Sequence, residues 1–159
     1  MIIKKYKKIN DHRGFFAKLV SDKISKKIKA IKEINISYTE KKGTIRGLHY
    51  QTAKFKETKV IFVLKGKIFD VSVNLKNYKV KTKILSEKNN NFIIIPENFA
   101  HGFQALEDNT TIIYANTQIY KKNFERTINP FEKNLKIKWP IKKYIISKKD
   151  AGASNIVKY

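Results

Sequence analysis

The chain has 159 residues, 42% of them hydrophobic and ten of them Phe, and it contains no Cys. That suffices for one packed core and excludes a disulfide framework or a thiolate metal site. The formal charge of +22 points first to nucleic acid or another anionic surface, but only Arg13, Arg46 and Arg126 of the 35 cationic residues are arginine, and proteins that read bases or clamp phosphates draw on Arg forks.

Nucleic acid is therefore not the expected partner. The N-terminal run MIIKKYKK lacks the apolar stretch of a signal peptide, and no apolar run approaches the roughly 20 residues of a membrane span. The expectation is a cytoplasmic protein with no membrane partner.

In chain order, the first marked feature is DHRGFF at 11–16, with Arg13 beside Gly14. Residues 21–31 carry apolar side chains at helical spacing, Ile24, Ile28 and Ile31, and form the one early helix expected. GTIRGLHYQ at 43–51 places Arg46 beside Gly47 and leads His49 from a turn into a strand. In a chain so rich in Lys, an Arg in a tight Gly context points to a planar, always charged group held for an anion. Residues 59–73 read as two apolar strands flanking Lys65-Gly66-Lys67, a predicted hairpin. Residues 81–85, 91–95, 102–106 and 110–116 read as further strands, separated by turns at 87–91 and 107–109. His101 falls in the turn before the 102–106 strand. After Tyr120 the chain is irregular, with Asn129-Pro130 and Trp139-Pro140. Short strands at regular spacing predict an all-β sandwich or barrel. With no repeat and no linker, residues 1–159 are expected to be one domain.

The chemistry-bearing residues follow this frame. His49 offers an imidazole, the side chain type best suited to a general base. Lys59, ten residues on, opens the next strand, where adjacent strands would bring both side chains to one mouth; a pocket lysine stabilises a developing oxyanion. Tyr114 and Tyr120 are an even number of residues apart and share a face if both are extended. Asp70, inside an apolar strand, needs a partner. Asp70 or Asp150 would orient His49 and raise its basicity. His49 and His101 with a carboxylate could in principle form a two-His, one-carboxylate metal site, but neither belongs to a His-x-His pair. No metal and no cofactor are expected.

Together these residues resemble a family. RGLHYQ (46–51), Lys59, FDVSV (69–73), IPENFAHGF (95–103), Tyr114 with Tyr120, IKWP (137–140), ISKKDA (146–151) and the early DHRGFF stand in the order found in the dTDP-4-dehydrorhamnose 3,5-epimerase family. The resemblance implies a cupin-like jelly roll with a few short helices, a homodimer, no metal, and a nucleotide-diphospho-4-keto-6-deoxy sugar as substrate. It implies epimerisation at C3, C5 or both through an enolate, with His49 as base, Asp150 supporting it, Lys59 at the enolate oxygen, and Tyr114 as acid with Tyr120 beside it. It also implies substrate contacts from Arg13, Phe15, Asn35, Arg46, Gln51, His101, Glu125 and Lys149, those of the Arg13 element reaching a partner subunit. Lys18 and Asn74 depart from the family's usual Glu and Asp. Two other readings stand beside it: a non-catalytic sugar-nucleotide binder on the same fold, and a basic nucleic-acid-binding barrel.

Overall fold

The computed structural model describes residues 1–20 and 28–154. Most of the expected 21–31 helix lies outside the described residues. Residues 28–32 run as a bend and coil into a strand.

Two antiparallel sheets face each other. The first has the order β1 (Ile2–Lys5), β9 (Asn91–Ile95), β6 (Lys59–Lys65), β11 (Thr110–Asn116), β4 (Glu33–Thr39). The second has the order β12 (Glu125–Thr127), β5 (Thr44–Gln51), β10 (Phe99–Ala105), β7 (Lys67–Asn74), β8 (Val80–Ser86). A short β13 (Ile145–Ile146) pairs with β5 in parallel, and β2 (Lys8–Asp11) with β3 (Gly14–Ala17) forms a separate hairpin. One four-residue α-helix, Lys148–Ala151, closes the described chain.

Alternation along each strand fills the space between the sheets at one end only. Ile61 and Val63 of β6, Ile68 of β7, Ile93 and Ile95 of β9, Phe103 and Ala105 of β10 and Ile112 of β11 make an apolar floor with Leu85. Further along the same faces, polar residues take over: Lys59 on β6, Asp70 and Ser72 on β7, His101 on β10, Tyr114 on β11. This end stays open and becomes the site.

The outer faces of the central strands are also covered, so β6 reads as a continuous apolar run and β7 is apolar at Val71 and Val73 on its outer face. Val60 and Phe62 of β6 pack with Phe92 and Ile94 under Tyr6, Leu19, Ile28 and Ile31. Val71 and Val73 of β7 pack under Ile128, Leu135 and Trp139. This double burial explains one correction. Residues 59–73 do not form a hairpin: β6 pairs with β9 and β11, and β7 pairs with β8 and β10. Gly66, at φ +82 and packed on Thr110, turns the chain from one sheet to the other. A second correction concerns His101. Strand β10 starts at Phe99, so His101 is a strand residue and not part of a turn.

Strands β5 and β10 come close enough to demand glycine. Gly47 has φ +115, and a Cβ there would lie 2.6 Å from Gly102 Cα and 2.7 Å from the His101 carbonyl oxygen. The register shifts at this point, between His101 and Phe103, and sets His49 directly opposite His101. Gly47→Ala is therefore expected to cost on the order of 2–4 kcal/mol, from a disfavoured φ plus overpacking. Urea denaturation measures it; a loss below about 0.5 kcal/mol, the ordinary surface range, would show that the strands can separate without penalty.

Candidate active site

The polar end encloses a cavity of about 720 Å³. His49, on β5, reaches it beside Arg46, and His101, on β10, faces His49 across one pair of strands. Each imidazole has its own carboxylate. His49 Nε2 lies 2.7 Å from Asp150 Oδ1, and His101 Nε2 lies 2.7 Å from Asp70 Oδ2. The choice that sequence left open is thus divided: Asp150 orients His49, and Asp70 orients His101.

Local structure fixes Asp150. Ser147 caps the short helix, its Oγ accepting from Asp150 N at 3.1 Å, as N-cap residues do. The second carboxylate oxygen accepts from Gly47 N at 3.1 Å. Burial pushes the Asp150 carboxyl up, but the hydrogen bond and charge of His49, together with Gly47 and Ser147, outweigh it and hold the group below its ordinary value. A neutral His49 that donates from Nε2 keeps its lone pair on Nδ1.

Asp70 has the opposite balance. It is fully buried, and burial pushes its carboxyl up against the opposing pull of His101. Its Oδ1 and the neighbouring Ser72 Oγ have no hydrogen-bond partner among the described residues. Tyr114, on β11, meets the His101 ring edge-on with centroids 6.1 Å apart. Burial raises the Tyr114 phenol well above its ordinary value, the Asp70 charge adds to this, and Arg46 opposes it.

Lys59 enters from β6 and pairs with Glu57 at 3.2 Å. Lys59 and His49 therefore stand on opposite sheets, not on adjacent strands as expected, and meet only across the cavity. Arg46 donates from Nε to Thr39 Oγ1 and from one terminal nitrogen to the Tyr38 carbonyl, both at 3.1 Å. Among the described residues it has no carboxylate partner.

The mouth is a second polar cluster. Glu125 accepts from the Tyr120 hydroxyl at 3.0 Å and forms a close ion pair with Lys149. Burial raises the Glu125 carboxyl, yet Lys149, His49 and Tyr120 together bring it below its ordinary value. Tyr120 does not share a strand with Tyr114, because β11 ends at Asn116. It lines the cavity from the following loop, its backbone N held by Glu33 at 2.8 Å. The other Glu33 oxygen accepts from Asn35 Nδ2 at 2.7 Å.

The cavity thus gathers His49, Lys59, Tyr114, Tyr120, Asp150, Asn35, Arg46, Gln51, His101, Glu125 and Lys149, with Asp70 behind His101. Three of the expected residues are placed differently from the rest. Gln51 lines the cavity, but its amide is engaged within the chain, donating to Phe55 O, Ile119 O and Glu57 and accepting from Lys121 N. Its place is to brace the wall. Arg13 is exposed and paired with Asp11 at 2.7 Å. Phe15 is exposed under the Lys8 ammonium. Both sit on the β2–β3 hairpin, away from this chain's own cavity. Glu57 escaped the sequence reading. Glu57 stands two residues before Lys59, a spacing that shares a face in extended chain, and that signal was available. Among the described residues no group of three or more His, Cys, Asp or Glu is placed to hold a metal.

The family model described as dTDP-4-dehydrorhamnose 3,5-epimerase matches residues 1–157. A dTDP-4-dehydrorhamnose 3,5-epimerase from Shigella flexneri is 32% identical over 161 residues, covering 95% of this chain and 88% of the relative. The crystal structure of a dTDP-4-dehydrorhamnose 3,5-epimerase from Bacillus anthracis, with TDP and PPi bound, is similar with a TM-score of 0.92 at 31% identity, covering 97% of this chain and 93% of that one. A dTDP-6-deoxy-D-glucose-3,5-epimerase from Legionella pneumophila, in complex with dTDP-4-keto-L-rhamnose, gives 0.90 at 32% identity, covering 96% and 86%. The two-sheet arrangement is accordingly the cupin-like β fold of these neighbours.

The Asp150 linkage is testable without a substrate. Its folded pKa lies below its unfolded value, so the stability it contributes is present above the ordinary carboxylate range and is lost as pH falls through the folded value. Asp150→Asn is expected to cost more unfolding free energy at pH 7 than at about pH 2–3. Equal costs in urea titrations at the two pH values would show that the Asp150 charge does not support the fold.

Proposed function

Because this chain belongs to the dTDP-4-dehydrorhamnose 3,5-epimerase family, we propose that the cavity between its sheets is where a dTDP-linked 4-keto-6-deoxy sugar loses and regains protons at C3 and C5. The protein is an isomerase. One observation carries the assignment of roles: His49 projects from the six-stranded sheet and Tyr114 from the five-stranded sheet, so a base and an acid flank the cavity from opposite walls.

The chemistry follows from this placement. The C4 ketone acidifies the protons on C3 and C5. His49 Nδ1 takes one, and the C–H electron pair moves into an enolate whose charge rests on the C4 oxygen. Lys59, on the wall of Tyr114, holds that oxygen. One of its three ammonium donors faces Glu57, which leaves two for the substrate. Tyr114 then gives its proton to the carbon from the other face, and the configuration inverts. A phenol is protonated near neutrality even at its ordinary pKa of about 10, and burial of Tyr114 leaves that unchanged. The Asp150 charge supports the imidazolium that His49 becomes.

Arg46, free of a carboxylate partner among the described residues, and Lys149 at the mouth are the cations offered to the anionic part of the substrate. Asn35, His101 and Glu125 line the path between, with Tyr120 at the rim. The exposed hairpin suits a homodimer. Ile9, Phe15 and Phe16 are each 59% exposed, and the edge strand β4 exposes Ile34 and Ile36 beside Tyr38. In a dimer Arg13 and Phe15 would serve the partner's cavity, consistent with their distance from their own. Residues 1–159 would then act as one epimerase domain. No described helix is long and apolar enough to cross a membrane, and we place the protein in the cytoplasm with its nucleotide-sugar substrate.

Two variants test the roles in D2O with dTDP-4-keto-6-deoxyglucose. His49→Asn is expected to lower deuterium incorporation by about 10²–10⁴; near-normal exchange in a folded variant would remove His49 as base. Tyr114→Phe removes only the hydroxyl and is expected to incorporate deuterium while inverting poorly. Normal inversion by Tyr114→Phe, with loss in Tyr120→Phe, would exchange the roles of the two phenols.

A further inference from the structure

Lys59 and Glu57 form an ion pair in a place where an ion pair needs a reason. Their side chains are only 14% and 7% exposed, and the cavity already holds the cations Arg46 and Lys149 beside His49. A lone ammonium drawn out of water among other cations is costly, and removing one partner of a buried pair leaves the other uncompensated. Lysine also reaches its position on a flexible four-carbon stem, so burial alone does not fix where the ammonium sits.

Glu57 is itself braced on both carboxylate oxygens. Its Oε1 faces Lys59 Nζ at 3.2 Å, and its Oε2 accepts from Gln51 Nε2 at 3.3 Å. Gln51 in turn is anchored by Phe55 O, Ile119 O and Lys121 N. Between the two charged residues, Thr58 exchanges hydrogen bonds with Thr117: Thr58 N donates to Thr117 Oγ1 at 2.9 Å, and Thr117 N donates to Thr58 O at 3.1 Å. The segment is pinned to the end of β11, the strand that carries Tyr114. A carboxylate this well braced sets the position of the ammonium, and not the reverse.

We infer that Glu57 is a positioning residue for the epimerisation: it holds the Lys59 ammonium where the enolate oxygen forms and supplies the counter-charge that lets the cation wait there before substrate charge develops. The inference rests on the reading of Lys59 as the group that holds the enolate. Glu57 makes no bond to substrate in this account. It acts through Lys59, so its loss bears on the transition state more than on binding.

The test uses the full chain in two forms. In Glu57→Gln, kcat for dTDP-4-keto-6-deoxyglucose is expected to fall about tenfold to a hundredfold, the scale of a misplaced catalytic group, with KM little changed and the deuterium wash-in rate falling alongside. Glu57→Asp keeps the charge and is expected to recover part of that loss. In the substrate-free protein labelled with 15N-lysine, the Lys59 ammonium resonance, assigned by its absence in Lys59→Arg, is expected to shift or broaden in Glu57→Gln. An unmoved resonance, a rise in KM with kcat intact, or an Asp variant no faster than the Gln variant would overturn the inference. Should the Gln variant fail to fold, the Asp variant carries the same measurements, with smaller changes in the same direction. The resonance is read without substrate. A wild type that does not turn over the sugar would therefore sink the functional reading while the resonance still decides the role of Glu57.

Discussion

Everything in this molecule depends on an interior that is apolar over half its length. Ile61, Val63, Ile93, Ile95, Phe103 and Ile112 close one end of the space between the sheets. The same inward-facing positions then change character, and Lys59, His101 and Tyr114 take over without any change of strand. Burial of the floor holds the two sheets together. The polar half could not do so, because each buried charge must first be matched. The floor therefore supplies the stability that the site does not, and it lets two walls of opposite chemistry face each other across a fixed gap.

Within that gap the two imidazoles are each tied to a carboxylate of their own. Asp150 is tied to His49, Gly47 and a helix cap, so the C-terminal segment reaches back to orient a residue of β5. Asp70 does the same for His101 from β7, more deeply and at greater cost, since one of its oxygens goes unpartnered. Both ties depend on the meeting of Gly47 and Gly102, where no side chain would fit. The site is thus built on strand interiors, with only Tyr120, Lys149 and Asp150 brought in from later segments. A constellation on a rigid sheet frame holds its geometry better than one on loops.

Much of this was legible in the sequence because strand periodicity is local. Strands 91–95 and 110–116 have the predicted bounds. The order of short motifs pointed to the family, the fold and the cavity residues together. The misses are of a different kind. Two apolar runs around Gly66 look the same whether they pair with each other or with strands far away, so the hairpin reading failed. The parity of Tyr114 and Tyr120 presumed an extended chain beyond Asn116, where β11 in fact ends. Residue spacing alone could not tell Asp70 from Asp150, since their partners are set by sheet pairing, and only the family resemblance pointed to Asp150. Glu57 was overlooked because a Glu near a Lys is common on surfaces, and only burial distinguishes this pair.

The central claim is that base and acid act from opposite walls on one sugar ring. The most direct measurement is a crystal structure of the protein with an unreactive dTDP-linked hexose bound in the cavity. The account predicts the ring lying between the sheets, with His49 Nδ1 facing C3 and C5 from one side, the Tyr114 hydroxyl facing them from the other, and Lys59 against the oxygen at C4. A ring bound with His49 and Tyr114 on the same face, or outside the space between them, would contradict it.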